Sequence, residues 1–126
     1  MKRALITGIA GQDGSYLAEY LLSQDYEVHG IIEQNKLANR LGGMTNIMKI
    51  ENKINLYTSS LDNYQEVLNI LDHSMPDECY HLASNSFVYH NFDEETPTLT
   101  NNFLSSKIIF MALKNRLPDC RIYFVQ

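Results

Sequence analysis

The stretch Leu5-Ile6-Thr7-Gly8-Ile9-Ala10-Gly11-Gln12-Asp13-Gly14-Ser15 decides the fold. Ala4–Thr7 is a short apolar run that stops at a glycine, as a buried strand does. Tyr16, Leu17, Tyr20 and Leu21 recur at helical spacing, so Ser15–Gln24 reads as a helix. Between them, glycines at 8, 11 and 14 give a GxxGxxG spacing, set where a dinucleotide-binding fingerprint has physical meaning, after a strand and at the opening of a helix. Gly8 permits the tight turn out of the strand, Gly11 lets a pyrophosphate approach the backbone, and Gly14 lets the helix pack close to the strand. The N–H groups at the helix start, with the positive end of its dipole, are then expected to hold the pyrophosphate. Asp13 lies in that turn and is expected to point away from the phosphates, since a carboxylate there would repel them. A glycine-rich loop without a ligand is the bland alternative.

Outward from this turn, strands and helices alternate. Glu27–Ile32 reads as a second strand and Ile54–Thr58 as a third. Asn63–Asp72 is an amphipathic helix with Val67, Leu68 and Leu71 on one face, capped by Asp62 or Asn63. After Pro76 and Asp77, Glu78–Ala83 reads as a fourth strand. Thr98–Asn115 is a long helix that offers Phe103, Ile109, Phe110 and Leu113 to the sheet, and Pro118 stops it. Arg121–Val125 is the fifth strand. This order implies an α/β fold, a Rossmann-type doubly wound parallel sheet with helices on both faces. Such a sheet normally continues, so the end at Gln126 is expected to be a truncation after about five strands of a dinucleotide-binding domain. The connection Gln34–Asn52 is polar and lacks a period, and connections of that length are usually functional.

The residue that follows the second strand bears on the choice of dinucleotide. Glu33 stands where an acid accepts hydrogen bonds from an adenosine ribose and repels a 2′-phosphate. Lys36 and Arg40, further along, carry the opposite charge. A solvated loop carboxylate is the alternative for Glu33.

Composition narrows the classes. The 126 residues are 44% hydrophobic and 20% charged, with a formal net charge of -5, so no basic field exists to hold a nucleic-acid backbone. No apolar run is long enough to span a bilayer, and the apolar stretch of the N-terminus, Ala4 to Ile6, reads as a strand rather than a signal peptide. Cys79 and Cys120 form no CxxC or metal-spaced cluster and are expected to be small buried hydrophobes in a reducing cytoplasm. His29, His73, His81 and His90 form no HxxH or HxxxH pair, so no metal site is expected.

The string from Leu5 to Leu22, above all Gly11-Gln12-Asp13-Gly14-Ser15-Tyr16-Leu17, resembles the GDP-mannose 4,6-dehydratase family of extended short-chain dehydrogenases/reductases, within the NAD-dependent epimerase/dehydratases. Tyr26-Glu27-Val28-His29-Gly30-Ile31 continues the likeness. Pro76 to Ser86 is similar to the family's fourth strand and its Leu-Ala-Ala-Gln-Ser turn. The likeness runs from Met1 to Gln126 and is dense in those segments.

The resemblance implies a lyase. A nicotinamide cofactor, usually NADP, takes hydride from C4 of GDP-mannose, water leaves across C5 and C6, and the hydride returns to C6. The product is GDP-4-keto-6-deoxymannose. It also implies that Gly8, Ile9, Ala10, Gly11, Gln12 and Asp13 contact pyrophosphate and the adenosine side. Leu82, Ala83, Ser84, Asn85 and Ser86 would line the cofactor path. Ser60 and Leu61 fall where the family has Asp-Leu beside adenine. Leu82 and Ala83 also suit plain strand core. The partner is a nucleotide sugar, and the parent is expected to be a homo-oligomer.

Some positions depart from the family. Ile32-Glu33-Gln34 replaces a basic Lys-Arg-Arg stretch, which opens NAD as an alternative to NADP and leaves the oligomer interface built from that loop in question. Pro97 stands where a tyrosine is expected near the nicotinamide-side ribose, and Ser105-Ser106 replaces a Gly-Thr pair. The family's Ser/Thr and Glu after the fifth strand lie past Gln126. No tyrosine of this chain has a lysine four residues on, so the Tyr-x-x-x-Lys is absent too, and with it the base, the proton donor and the substrate domain. These 126 residues are therefore expected to be inactive alone. A nucleotide-sugar epimerase or reductase, or a non-catalytic dinucleotide-binding module, remains open on the same scaffold.

Overall fold

The computed structural model describes residues 1–33, 45–82 and 92–124, with the backbone alone for 92–103. Five strands, β1 (Arg3–Thr7), β2 (Glu27–Ile32), β3 (Asn55–Thr58), β4 (Glu78–His81) and β5 (Arg121–Phe124), form one parallel sheet in the order β3-β2-β1-β4-β5. The helices are α1 (Gln12–Ser23), α2 (Tyr64–Ser74) and α3 (Phe92–Arg116), and two short 3-10 turns, Thr45–Ile47 and Glu51–Lys53, precede β3.

Alternation along β1 sorts the core into two layers. Ala4 and Ile6 face a cluster with Ala18 and Leu21 of α1, Val28 and Ile32 of β2, and Ile47 and Ile50 from the connection before β3. Leu5 faces the other layer, with Val67, Leu68 and Leu71 of α2 and Ile109, Ala112 and Leu113 of α3. Each layer is mainly aliphatic at its centre, with Cys79 buried in the second, so each stabilises the sheet mainly by removing apolar surface from water. The chain crosses from one layer to the other between β3 and β4, so the strand order runs outward in opposite directions on the two sides of β1. That reversal leaves a crevice at the carboxyl ends of β1 and β4.

The α2 cap is Asn63, whose side chain accepts from the Glu66 N–H at 3.0 Å. The helix closes on Met75 in the left-handed region, φ 44°, with Pro76 next.

The structure corrects several element readings. Helix α1 begins at Gln12 rather than Ser15, because the third glycine already belongs to its first turn. Its buried face is Gly14, Ser15, Ala18 and Leu21, while Tyr16 and Tyr20 are 61% and 60% exposed. Tyrosine and leucine share the i, i+4 spacing, so spacing alone did not say which pair faces the sheet. Helix α3 starts six residues earlier than Thr98 and runs through Pro97, which forfeits one backbone hydrogen bond near the helix start. Ile109 and Leu113 are buried as expected, but Phe110 is 41% exposed and lies against Phe124 at the sheet edge. β4 and β5 are described to His81 and Phe124. The side chain of Phe103, and residues Ala83 and Val125, lie outside what is described.

Candidate dinucleotide-binding site

The site is built from the turn between β1 and α1. Gly8 has φ 70°, a left-handed conformation that suits glycine. The Gly11 N–H donates to the Gly8 carbonyl at 3.1 Å and closes the turn, and the Ser15 N–H donates to the Gly11 carbonyl at 2.9 Å as the first helical bond. The N–H groups of Gln12, Asp13 and Gly14 thus open the helix without intrahelical partners. Gly11, the N-cap residue, offers no side-chain cap.

The glycines differ in what forbids a side chain. A Cβ on Gly14 would lie 2.3 Å from the Gly8 carbonyl oxygen and 2.8 Å from Ile9 Cα, so the close approach of helix to turn requires glycine. A Cβ on Gly11 would meet only the Gly8 carbonyl oxygen, at an ordinary 3.4 Å. The protein's own packing does not demand glycine at 11. A bare backbone there suits an anion seated on the helix mouth, which is the arrangement a dinucleotide pyrophosphate needs. The turn passes this test of fit.

The remaining expected residues divide between surface and core. Gln12 and Asp13 are exposed in the first turn of α1, and Glu33 is exposed at the end of β2. Ile9 is fully buried and Ala10 nearly so, which anchors the turn to the sheet. Ser60 is exposed and its hydroxyl donates to Asp62. Leu61 sits at φ 63° with its side chain in the α2–α3 layer and its N–H donating to Ser59 Oγ at 2.9 Å, so its packing role is clear. Leu82 packs against the α1 layer. Ala83, Ser84, Asn85 and Ser86, together with Lys36 and Arg40, lie outside the described residues.

Two groups that the sequence reading did not single out belong to the site. Asn46 Nδ2 donates to the Ala10 carbonyl at 3.0 Å, tying the connection before β3 to the turn, with Ile47 fully buried beside it. His81, at the end of β4, has its Nδ1 2.8 Å from Thr7 Oγ1 and its Nε2 3.1 Å from Ser106 Oγ. Burial lowers the His81 pKa to about 4, so the ring is neutral at physiological pH. No sequence spacing reports either contact, since the partners are 36 and 74 residues apart.

Away from the crevice, carboxylates organise the polar contacts. Glu27 lies 3.0 Å from Arg3 Nε and 2.6 Å from His29 Nε2, and the His29 hydrogen bond together with Arg3 holds its carboxyl below the usual range despite burial. Tyr26 and Tyr80 donate to Glu78 at 3.3 and 3.0 Å, and burial with this carboxylate raises both phenols. Cys79 and Cys120 are free thiols, both pushed up mainly by burial, Cys120 to about 11. Among the described residues no three His, Cys, Asp or Glu gather as metal ligands, and no helix is long and apolar enough to cross a membrane.

Fold, strand order and glycine turn define the class, a Rossmann-type domain with a crevice at the ends of β1 and β4. Comparison with known proteins narrows it. The family profile described as GDP-mannose 4,6 dehydratase matches residues 5–126. The GDP-mannose 4,6 dehydratase of Drosophila melanogaster is 42% identical over 129 aligned positions, covering 99% of this chain and 33% of that protein. The human enzyme of that name is 41% identical over 95, covering 71% and 25%. This chain belongs to the GDP-mannose 4,6-dehydratase family, and it spans a quarter to a third of the length of these relatives. Among solved structures, UDP-glucose 4-epimerase from Bifidobacterium longum in complex with NAD+ and UDP superposes with a TM-score of 0.79 at 17% identity, covering 99% of this chain and 37% of that one. Bordetella bronchiseptica WbmH in complex with NAD+ gives 0.69 at 26%, covering 92% and 36%. The first of these likenesses shows the fold.

Proposed function

We propose that this chain is the cofactor-binding part of a nucleotide-sugar 4,6-dehydratase acting on GDP-mannose, with the dinucleotide seated on the turn Gly8–Gly14. The observation that carries the reading is the uncapped mouth of α1 at Gly11, in a chain of this family. Identity of 42% to a dehydratase, against 17% to a 4-epimerase of the same fold, favours dehydration over epimerisation.

A bound nicotinamide would supply a reversible hydride acceptor. The protein's own part is to bind and orient. The N–H groups of Gln12, Asp13 and Gly14 hold the pyrophosphate, Glu33 accepts from the adenosine ribose, and Leu82 borders the crevice. The Glu33 carboxylate disfavours a 2′-phosphate at the end of β2, so the proposed cofactor is NAD in preference to NADP. With no Tyr-x-x-x-Lys in the sequence, the chain has no base of the family's kind, and no turnover is proposed for these residues alone. This chain spans a quarter to a third of its relatives' length, so a substrate domain and any homo-oligomer interface are proposed for the remainder of such a protein, in a reducing cytoplasm that suits two free thiols.

Titration calorimetry with NAD+ and NADP+ tests the binding assignment, and incubation with GDP-mannose and cofactor tests the rest. Saturable NAD+ binding without product is expected. Absence of binding to either dinucleotide, or a 4-keto-6-deoxy product from this chain, contradicts the proposal.

A further inference from the structure

Thr7, His81 and Ser106 form a chain of neutral hydrogen bonds that joins three elements at the crevice. Thr7 is the last residue of β1, directly before Gly8, and is fully buried. His81 is the last residue of β4 and is 5% exposed. Ser106 lies on α3. The Thr7 hydroxyl is 2.8 Å from His81 Nδ1, and the other ring nitrogen is 3.1 Å from the Ser106 hydroxyl. The Leu82 N–H is shared between Thr7 Oγ1 at 3.0 Å and the Thr7 carbonyl at 3.3 Å. Either neutral tautomer of His81 completes the chain, because each hydroxyl is both donor and acceptor.

An aliphatic trio would fill this space without the desolvation that three polar side chains require. What hydrogen bonds add is directionality, because apolar contacts slide and these do not. The place where that matters is the point of strand reversal, where the two strand ends bound the nucleotide crevice. The groups that face the ring among the described residues are Thr7 on β1, Phe124 on β5 in edge contact, and Ser106 on α3, none of them charged.

We propose that this chain is a brace that sets the spacing of the β1 and β4 ends, with His81 as a positioning residue for the dinucleotide. It acts through Thr7 at two places. One is the start of the phosphate turn, and the other is the Leu82 N–H that begins the segment after β4. The inference rests on the dinucleotide assignment above for its functional meaning, and on the hydrogen-bond geometry alone for its mechanics.

The test compares wild type with Thr7→Val, which keeps the shape and removes the hydroxyl, and Thr7→Ser, which restores it. Amide hydrogen exchange at Leu82 and Gly11, read by NMR on the unliganded 126-residue chain, is the first readout. Exchange about tenfold faster in Thr7→Val, with α2 amides unchanged and Thr7→Ser near wild type, is expected for the loss of one directional hydrogen bond. The second readout is NAD+ affinity, expected to fall about tenfold in Thr7→Val and to recover in Thr7→Ser. Should Thr7→Val not fold, Ser106→Ala, which cuts the far end of the chain, is measured in the same way. Unchanged exchange and affinity in the hydroxyl-free variant overturn the brace, as does a Thr7→Ser variant no better than Thr7→Val. Wild type that fails to bind NAD+ overturns the dinucleotide assignment and with it the functional half of the brace. The exchange readout decides the mechanical half regardless.

Discussion

Helices α1 and α2 both follow a strand of the same sheet, yet their first turns are built differently. At α2 the Asn63 side chain closes the helix mouth, accepting from the Glu66 N–H. At α1 the equivalent position is Gly11, which has no side chain to offer and whose backbone would tolerate one. The first arrangement is the ordinary way to satisfy helix N–H groups and is worth about 1 kcal/mol. The second forgoes that stabilisation and leaves three donors and a dipole end presented at the crevice. The contrast supports the proposal that the α1 terminus receives a ligand, whereas the α2 terminus is closed by the chain's own side chain.

Substitutions and pH sharpen or break this contrast. The largest expected effect is at Gly14. The Gly14→Ala variant forces a Cβ against backbone at 2.3 Å, and a loss of about 3 kcal/mol or more in urea unfolding is expected, with dinucleotide binding abolished. A variant of wild-type stability would mean the helix and turn are not tightly joined.

The next concerns His81. Its folded pKa, about 4, is depressed by burial below an unfolded value of about 6.5. Below the unfolded value the unfolded chain takes a proton that the folded chain refuses, so stability is present above about pH 6.5 and falls as pH drops toward 4. The fall from this group is roughly 3 kcal/mol, and it is read as the difference in pH dependence between wild type and His81→Gln. Parallel pH profiles for the two would contradict a buried neutral ring.

Asn63→Ala is expected to cost about 1 kcal/mol in stability and to leave dinucleotide affinity unchanged. The smallest stability effect is the most diagnostic. Gly11→Ser installs the missing cap and is expected to raise stability by a few tenths of a kcal/mol while weakening NAD+ about tenfold. If it raised both, the account of an open α1 terminus would fail.

Much of this was legible in the sequence. The glycine spacing, the apolar runs and the proline stops locate all five strands to within a residue or two, because buried parallel strands leave short continuous apolar segments. The phosphate turn was legible for the same local reason. What sequence could not show is contact across long separations. The pairing of Thr7 with His81, and of Asn46 with Ala10, exists only once β1, β4 and the connection before β3 are assembled. Spacing also failed where two faces of a helix share one period. Tyr16 and Tyr20 turn outward on α1, and Phe110 lies at the open edge of β5 rather than beneath it.

The most direct test of the central claim is calorimetric titration of the 126-residue chain and its Gly11→Ser variant with NAD+ at neutral pH. The account predicts saturable binding to the wild type, weaker by about tenfold in Gly11→Ser although that variant is at least as stable. Equal affinity in the two proteins would show that the uncapped helix mouth is not where the dinucleotide binds.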